Sequence, residues 1–586
     1  MLHINPCRHF QWGWHTILIL ILFGHALMLG WIAYRYSPTW DEVAHLPAGI
    51  SHWKFGDYTL YAVNPPLVRS VAALPLFVVP HEEAWGIFFS GQYSVSQRLE
   101  FGLGSEFVRV NGWRSFFLYT LARWMCIPFS LLAAYICFRW ARELYGNAAG
   151  IMALIVWFFS PLVLGFGSLI APDIGCASLS IVALYMFWKW LKRSSWDQTM
   201  FTGVVLGLAE LTKCTLLVFY GFWPIIWILW RFLSRKEPSV DTIRKQCLQL
   251  ILMFTISIWV INSGYTFLGS FERLDSYRFV SKTLSTKNDD GTTLSNNRFR
   301  GTWMGAIPVP LPREYVYGID TQKRDFESKM YSYFRGEWRN GGWYEYYIYG
   351  LFIKEPIGTW LLIGMAAFCG LFSKGYSASR RDEMVLLIPL FGILIFISSQ
   401  NGFSHHMRYM LPIFPMVFIW MSKVARSFEL RRKFVAIFTV ISITWSLGSS
   451  LYYYPHSISY FNELVGGPKN GHYYLIDSNI DWGQDLQYLS LWLEDHPGIK
   501  PDTFAYFLPL VRPSLIGVTT KEPPALPEPG WHFLSVHRIH DRDGKYEYFL
   551  KMKPYDRVGY SINIYHVTVE DANRLRREMG GEPLRK

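Results

Sequence analysis

The chain is a succession of long apolar runs, and a run of about 20 apolar residues is what an α-helix needs to cross a hydrocarbon core. Read in order, candidate spans lie near 14–34, 115–138, 149–168, 174–191, 199–212, 214–232, 247–268, 348–372, 384–399, 409–422 and 434–452. The expected fold class is therefore mainly α, a polytopic membrane protein of about eleven transmembrane helices. The stretch 199–232 also reads as one broken hairpin. Of 586 residues 51% are hydrophobic and only 17% charged, whereas a soluble chain of this length would split into several domains with charged surfaces. No small-residue cleavage site follows the first run, so it reads as a retained helix.

The formal net charge of +12 does not point to nucleic acid, because the lysines and arginines sit in short connections between apolar runs, where they set orientation. One alternating set of connections carries Arg139 and Arg142; Lys189, Lys192 and Arg193; Arg231, Arg235, Lys236, Arg244 and Lys245; Lys374, Arg380 and Arg381; and Lys423, Arg426, Arg431, Arg432 and Lys433. The connections near 169–173 and 400–408 carry almost none apart from Arg408. The positive-inside rule puts the first set and the N-terminus in the cytoplasm, and 35–114, 269–347 and 453–586 outside. Cys7, Cys126, Cys137, Cys176, Cys214, Cys247 and Cys369 fall in or beside apolar runs or in the N-terminal tail, so neither a disulfide framework nor a zinc site is expected.

In the first outer segment His45–Phe55 and Leu67–Val79 read as short helices punctuated by Pro65-Pro66. Segment 269–347, rich in Asn, Gly, Thr and Arg, reads as a long, partly ordered loop. The division is thus a transmembrane region, 1–452, and a small extracytoplasmic α/β domain, 453–586. In the latter Trp531–His537 and Ser561–Val567 read as strands, and Gln484–Leu493 and Asp571–Met579 as helices.

Chemistry-bearing residues gather on the outer side. Asp41-Glu42 follows the first span; its plain reading is a helix cap, but a carboxylate beside Trp40 at a membrane boundary is also placed for general-base work. Tyr61-Ala62-Val63-Asn64-Pro65-Pro66 is at least a rigid turn. Asp173, in a short outer connection, is either a cap or an acid facing the same cavity as Asp41. Lys213 interrupts an apolar stretch; a cation there costs ~2.5–3.5 kcal/mol unless it snorkels or has a partner, and a phosphate near the outer leaflet is a natural one. Arg408 can fork two hydrogen bonds onto a phosphate and Tyr409 can donate another. His405 and His406 read as solvated interfacial residues, since neighbours on a helix diverge by about 100°. A carboxylate pair, a further Asp, a Lys and an Arg–Tyr pair on one face suit transfer from a phosphate-bearing lipid.

This arrangement resembles the GT-C superfamily of membrane glycosyltransferases that use polyprenyl-phosphate sugars, which includes protein O-mannosyltransferases and the aminoarabinose transferases that act on lipid A. The resemblance rests on Asp41-Glu42, Pro65-Pro66-Leu67, Asp173, Thr212-Lys213 and Arg408-Tyr409 ahead of Leu411-Pro412, in order over about 14–452. It implies transfer with inversion from a lipid phosphate to an acceptor hydroxyl. Asp41 would be the base, Glu42 would hold the acceptor or the loop, and Asp173 would help at the sugar. Lys213, Arg408, Tyr409 and Tyr61 would grip the donor phosphate, with His45 and Asn64 binding substrate. The sequence departs from the aminoarabinose enzymes at Val63 and Asn64, where they have Glu-Lys, and at Ala44, where they have Arg. Protein mannosyltransferases have His at the position of Asn64. The run Asp477–Leu486 looks like one in other bacterial members, and its Asp, Asn, Trp and Gln suit either carbohydrate or an Asx-turn cap.

The expected partners are a polyprenyl-phosphate sugar, a protein, lipid or glycan acceptor, and membrane lipids; nucleic acid is not expected. Anionic groups on this face are able to bind Mg²⁺ or Mn²⁺, but no ligand cluster demands one and no metal ligand is assigned. The competing classes are a transporter or flippase of lipid-linked sugars, and a non-catalytic scaffold. No internal repeat of the transporter kind is seen, and the ionisable residues sit at one face rather than at mid-membrane. A bacterial inner (cytoplasmic) membrane with the active site on the periplasmic or extracellular side is the expected location, and the lack of any Asn-x-Ser/Thr sequon agrees with it.

Overall fold

The structure, a computed structural model, describes residues 6–89, 98–234, 239–287 and 294–584. Arg235 and Lys236, assigned above to a cytoplasmic connection, lie outside them. Seven helices among the described residues are long and apolar enough to cross a membrane: Thr16–Arg35, Arg114–Tyr145, Pro172–Lys192, Cys214–Phe232, Val240–Gly264, Arg380–Ser399 and Lys433–Tyr453. Tyr346–Lys354 and Ile357–Phe372 make an eighth if a pair bent by 112° is taken as one span.

The remaining expected spans are shorter or broken, and proline explains most of it, because it removes an amide donor and clashes with the preceding turn. The run 149–168 divides at Ser160-Pro161 into Asn147–Phe159 and Pro161–Phe166, with the Ser160 hydroxyl accepting from Val163 N. The run 409–422 is a 3₁₀ stretch, Met407–Ile413, followed by helix Phe414–Met421, with Pro412 and Pro415 at the change. The run 199–212 is the 15-residue helix Trp196–Glu210. Such breaks are tolerated where neighbouring helices shield the freed backbone groups.

Helix Pro172–Lys192 is the axis of the bundle, buried along nearly its whole length. Thr16–Arg35 and Lys433–Tyr453 lie outside it and turn Ile19, Leu20, Phe23, Phe434, Ile437 and Ile441 outward, as lipid-facing helices do. The two ends of the bundle differ in chemistry. At one end the basic residues meet acids: Lys189 with Glu143 at 2.7 Å, Lys192 with Asp382 at 3.4 Å, and Lys423 with Glu383 at 2.8 Å. The opposite end of Pro172–Lys192 carries Asp173, and there the first two long polar segments converge, with the third hydrogen-bonded to Ser37 and Trp40 behind them.

In the first of these segments, helix Trp40–Phe55 starts in a capping box at Thr39 and ends at Gly56, in left-handed conformation at φ +63°. It is followed by Leu67–Ala73 and Leu99–Asn111. Segment 269–347 is more ordered than its composition suggests. It contains helix Arg313–Glu327 and a hairpin pairing Tyr331–Phe334 with Glu337–Asn340. The helix packs close on the Tyr61–Asn64 turn: a Cβ on Gly318 would fall 2.1 Å from the Ala62 carbonyl oxygen.

Beyond Tyr453 the chain forms a four-stranded sheet in the order Thr503–Ala505, Gly530–Ser535, Ile562–Val567, Asp556–Val558. The first pair is parallel and the others antiparallel, with Phe533 opposite Ile564. Alternation along the strands separates two faces. Leu534, Tyr565 and Val567 pack with Ile539, Phe549 and Leu575. Phe504, Phe533 and Ile564 join Leu486 and Leu489 in a core continuous with Val43, Leu46 and Phe116. The sheet therefore shares its core with the first outer segment.

Candidate active site

Asp41, Tyr61, Asn64, Asp173, Lys213, Arg408 and Tyr409 all line one polar cavity of about 270 Å³. Its centre is an ion network. Arg408 Nη2 donates to Asp41 Oδ2 at 2.5 Å and Nη1 donates to Asp173 Oδ2 at 3.1 Å, while Lys213 Nζ donates to Asp173 Oδ1 at 2.6 Å. Four segments far apart in sequence supply these groups. Asp41 opens helix Trp40–Phe55, Asp173 lies in the first turn of Pro172–Lys192, Lys213 is the extended residue before Cys214–Leu217, and Arg408 begins the 3₁₀ stretch. An acid in a helix's first turn is favoured by the dipole, so the two aspartates serve their helices as well as the cavity.

Aromatic rings support the cations. Lys213 Nζ lies 4.1 Å from the Tyr409 ring centre, and the Arg408 guanidinium 4.3 Å from that of Trp482. Tyr61 holds a left-handed backbone conformation at φ +59°, uncommon for a bulky residue and typical of constrained sites. Burial, and then the charge of Asp41, hold its phenol well above the ordinary range, so it is a hydrogen-bond donor at neutral pH.

Two expected site residues fall elsewhere. Glu42 is fully buried beneath the cavity and does not line it. Its Oε1 accepts from Arg123 Nε at 2.8 Å and Ile170 N at 2.9 Å, and its Oε2 accepts from Arg123 Nη2 at 2.5 Å and Thr39 N at 3.0 Å. Burial alone would raise its pKa, but the Arg123 charge and these hydrogen bonds outweigh that and hold it below the glutamate range. Both of its carboxylate oxygens are already occupied. His45 lies behind Tyr61, edge-to-face at 4.1 Å, and is not part of the lining. Burial, then the Arg69 charge, depress its imidazole pKa, so it is a neutral backing for Tyr61. Asp173, expected at the sugar, spends both oxygens on Lys213 and Arg408 and thereby orients them.

The structure adds residues that the sequence pattern does not single out. Arg98 lines the cavity, stacks 5.2 Å from the Tyr61 ring and pairs with Glu100 at 2.5 Å, which places a guanidinium near the turn where Val63 and Asn64 lack charge. Gln322 and Asp325, from helix Arg313–Glu327, complete the wall. Only a reading of that helix as amphipathic, rather than as loop, would have brought them forward. His406 lines the cavity too; burial, then Arg408, push its pKa well below the ordinary value.

Beside the polar cavity runs an apolar groove of about 200 Å³, lined by Leu217, Val218, Ile319, Phe326, Phe396 and Ile397. Lys213, Gln322 and Tyr409 line both spaces, so the two meet at the lysine. Among the described residues no group of three or more His, Cys, Asp or Glu is arranged to hold a metal ion. The acids of the cavity already face cations: Asp41 and Asp173 face Arg408, and Asp325 faces Arg98 and Arg324. That donor set does not fit a divalent cation.

Residues 117–261 match the family model described as dolichyl-phosphate-mannose-protein mannosyltransferase, a stretch that contains Arg123, Asp173 and Lys213. No curated protein matches the sequence. Among solved structures the chain is similar to ArnT from Cupriavidus metallidurans in the apo state, at 13% identity and TM-score 0.41, covering 94% of this chain and 98% of that one. The same protein bound to undecaprenyl phosphate gives 13% identity and TM-score 0.42 over 94% and 97% of the two chains. The Archaeoglobus fulgidus oligosaccharyltransferase, in complex with Zn and sulfate, gives 11% identity and TM-score 0.41 over 88% and 68%. The family match, confined to residues 117–261, agrees in kind with the resemblance drawn from the residues.

Proposed function

We propose that the protein moves a sugar from a polyprenyl-phosphate donor to a hydroxyl acceptor at the outer face of the membrane, by direct displacement with inversion. The observation that carries this reading is the junction at Lys213, where an acid-and-cation cavity opens into an apolar groove. A lipid-linked sugar phosphate has the same succession of parts. Its hydrocarbon lies in the groove, its phosphate meets Lys213 and Arg408, and its sugar faces Asp41 and Asn64.

Asp41, with 17% of its side chain exposed, accepts the proton of the acceptor hydroxyl. The acceptor oxygen forms a bond to the anomeric carbon as the carbon–oxygen bond to phosphate breaks. The electron pair leaves on the lipid phosphate, whose charge Lys213 and Arg408 stabilise. Arg408 partners Asp41 when no donor is bound, and an arriving phosphate draws the guanidinium away and frees the carboxylate as base. Tyr61 and Tyr409 donate further hydrogen bonds to the phosphate, and Asn64 and Arg98 line the space left for sugar or acceptor. The acceptor is a hydroxyl of a protein, lipid or glycan.

The membrane is a bacterial inner membrane with the cavity on the periplasmic or extracellular side. The separation of the paired basic residues from the cavity, at opposite ends of the bundle, supports this orientation. Residues 453–586 then form an extracytoplasmic domain packed against the segments that carry Asp41 and Arg408.

Purified protein given radiolabelled polyprenyl-phosphate sugar and acceptor should release free polyprenyl phosphate, and Asp41→Asn should abolish release while the fold persists. Full turnover by Asp41→Asn would refute the base assignment. Movement of the intact donor between leaflets without release would instead establish a flippase.

A further inference from the structure

The run Asp477-Ser478-Asn479-Ile480-Asp481-Trp482-Gly483-Gln484-Asp485 belongs to the C-terminal region, and Ser478 to Asp485 are buried. Of these residues none lines the cavity, yet they touch the segments on which two of its central groups stand.

On the Asp41 side, Trp40 N donates to the Trp482 carbonyl at 3.1 Å and Ser37 N to that of Gln484 at 3.0 Å. The Ser37 hydroxyl donates to the Gly483 carbonyl at 2.9 Å and accepts from Leu486 N at 2.9 Å. The chain leading into Asp41 is thus held along Ser37–Trp40 by the backbone of 482–486. On the Arg408 side, Met407 N donates to Asn479 Oδ1 at 2.9 Å, and Asn479 Nδ2 donates to the His405 carbonyl at 2.7 Å. His406 Nδ1 meets Ser478 Oγ at 2.7 Å. Arg408 Nε is buried and has no hydrogen-bond partner among the described residues. The guanidinium lies over the Trp482 ring, with Nη1 and Nη2 turned to Asp173 and Asp41.

The run is in turn anchored in the sheet region. Ser535 and Ser561 donate to Asp481 and Asp485, and the Tyr506 hydroxyl donates to the Gly483 carbonyl at 3.0 Å. Gly483 is at φ +87°, and a Cβ there would come 2.4 Å from Leu508, so only glycine fits the bend.

We infer that segment 477–486 positions Asp41 and Arg408 relative to each other, with Trp482 and Asn479 as positioning residues, so that the C-terminal region is an integral part of the catalytic site. The inference rests on the function proposed above. A base and a phosphate grip carried by separate segments need a common rest, since small misplacements cost large factors in rate.

The test uses the full chain in lipid nanodiscs, with lipid-phosphate release and binding of polyprenyl phosphate as readouts. Trp482→Leu removes the aromatic face and Trp482→Phe keeps one; Phe533→Leu, in the sheet core, controls for general destabilisation. Trp482→Leu should lower kcat about tenfold or more and weaken polyprenyl-phosphate binding, with acceptor KM unchanged. Trp482→Phe should recover to within about threefold of the parent. Phe533→Leu should lower the melting temperature without these changes. Should Trp482→Leu not fold, Ser37→Ala should lower kcat a few-fold, more than Phe533→Leu does at an equal or larger loss of melting temperature. If activity across the series merely follows melting temperature, or if Trp482→Leu or, in its place, Ser37→Ala keeps full kcat, the positioning role is overturned. If the parent protein releases no lipid phosphate, the function proposed above fails; binding of polyprenyl phosphate still decides the inference.

Discussion

Asp41 and Glu42 are neighbours in the chain, and each pairs with an arginine at 2.5 Å, but they occupy different surroundings. The knot around Glu42 is sealed: Arg123 donates to both Glu42 oxygens and to the carbonyls of Ala33, Tyr36 and Ser37. The pair at Asp41 faces a cavity, and Arg408 divides its donors between two aspartates while Lys213 shares one of them. A closed ion pair with every donor and acceptor used is framework, because anything that entered would have to displace hydrogen bonds it cannot replace. An ion pair with an open side exchanges partners, which is what a phosphate site and a base require.

The sharpest break of this comparison is Asp41→Asn against Glu42→Gln. Asp41→Asn should lower turnover by about 10²–10⁴-fold, the usual contribution of a general base, and leave thermal unfolding unchanged. Glu42→Gln leaves Arg123 buried with a neutral partner, and should destabilise by about 3–5 kcal/mol, seen as a lower melting temperature and poor recovery from the membrane. If Glu42→Gln were stable but inactive, Glu42 would belong to the chemistry.

Arg408→Lys comes next. A point charge cannot reach Asp41 and Asp173 together or stack on Trp482, so donor KM should rise about tenfold to a hundredfold with acceptor KM unaltered.

A third buried acid separates the effect of burial from that of a cation. Asp481 accepts from the Ser535 hydroxyl and Gly483 N but pairs with no lysine or arginine among the described residues, and burial raises its pKa to about 7. With a folded pKa above the unfolded one, its contribution is complete below about pH 4 and is lost as pH rises through 7. Glu42 has the opposite sign: its lowered pKa contributes stability above the ordinary glutamate range, lost as pH falls through the folded value. Amide protection around 481–486, taken relative to the intrinsic exchange rate at each pH, should therefore fall between about pH 4 and 7, and Asp481→Asn should flatten that dependence. A flat profile in the parent would show that Asp481 stays ionised. Smallest of all, Tyr409→Phe keeps the ring under Lys213 and should change donor KM no more than about threefold, whereas Tyr409→Leu should raise it further.

Much of the cavity was legible in the sequence. Asp41, Asp173, Lys213 and Arg408 stand out because each puts a charge beside a long apolar run, where an unpaired charge is costly. The turn with Tyr61 and Asn64 was marked by its tandem proline. Strand positions beyond Tyr453 were also readable, since 530–535 and 562–567 lie in short runs rich in aromatic and β-branched residues. Arg98, Gln322 and Asp325 were hidden because their segments look like ordinary polar loop, and only the close approach of Gly318 to Ala62 brings helix Arg313–Glu327 to the cavity. Several expected spans are interrupted because apolar length ignores proline, and proline inside a crowded bundle is tolerable where neighbours shield the backbone.

The sequence by itself determined that the chain lives in a membrane and that its charged residues divide between two ends, because hydrocarbon admits satisfied helices and little else. It could not decide which carboxylate is framework and which is poised for chemistry. Asp41 and Glu42 are almost the same group at adjacent positions. Their difference lies in contacts made across 81 residues to Arg123 and 367 residues to Arg408, which exist only once the bundle has closed and one acid faces inward while the other faces the cavity.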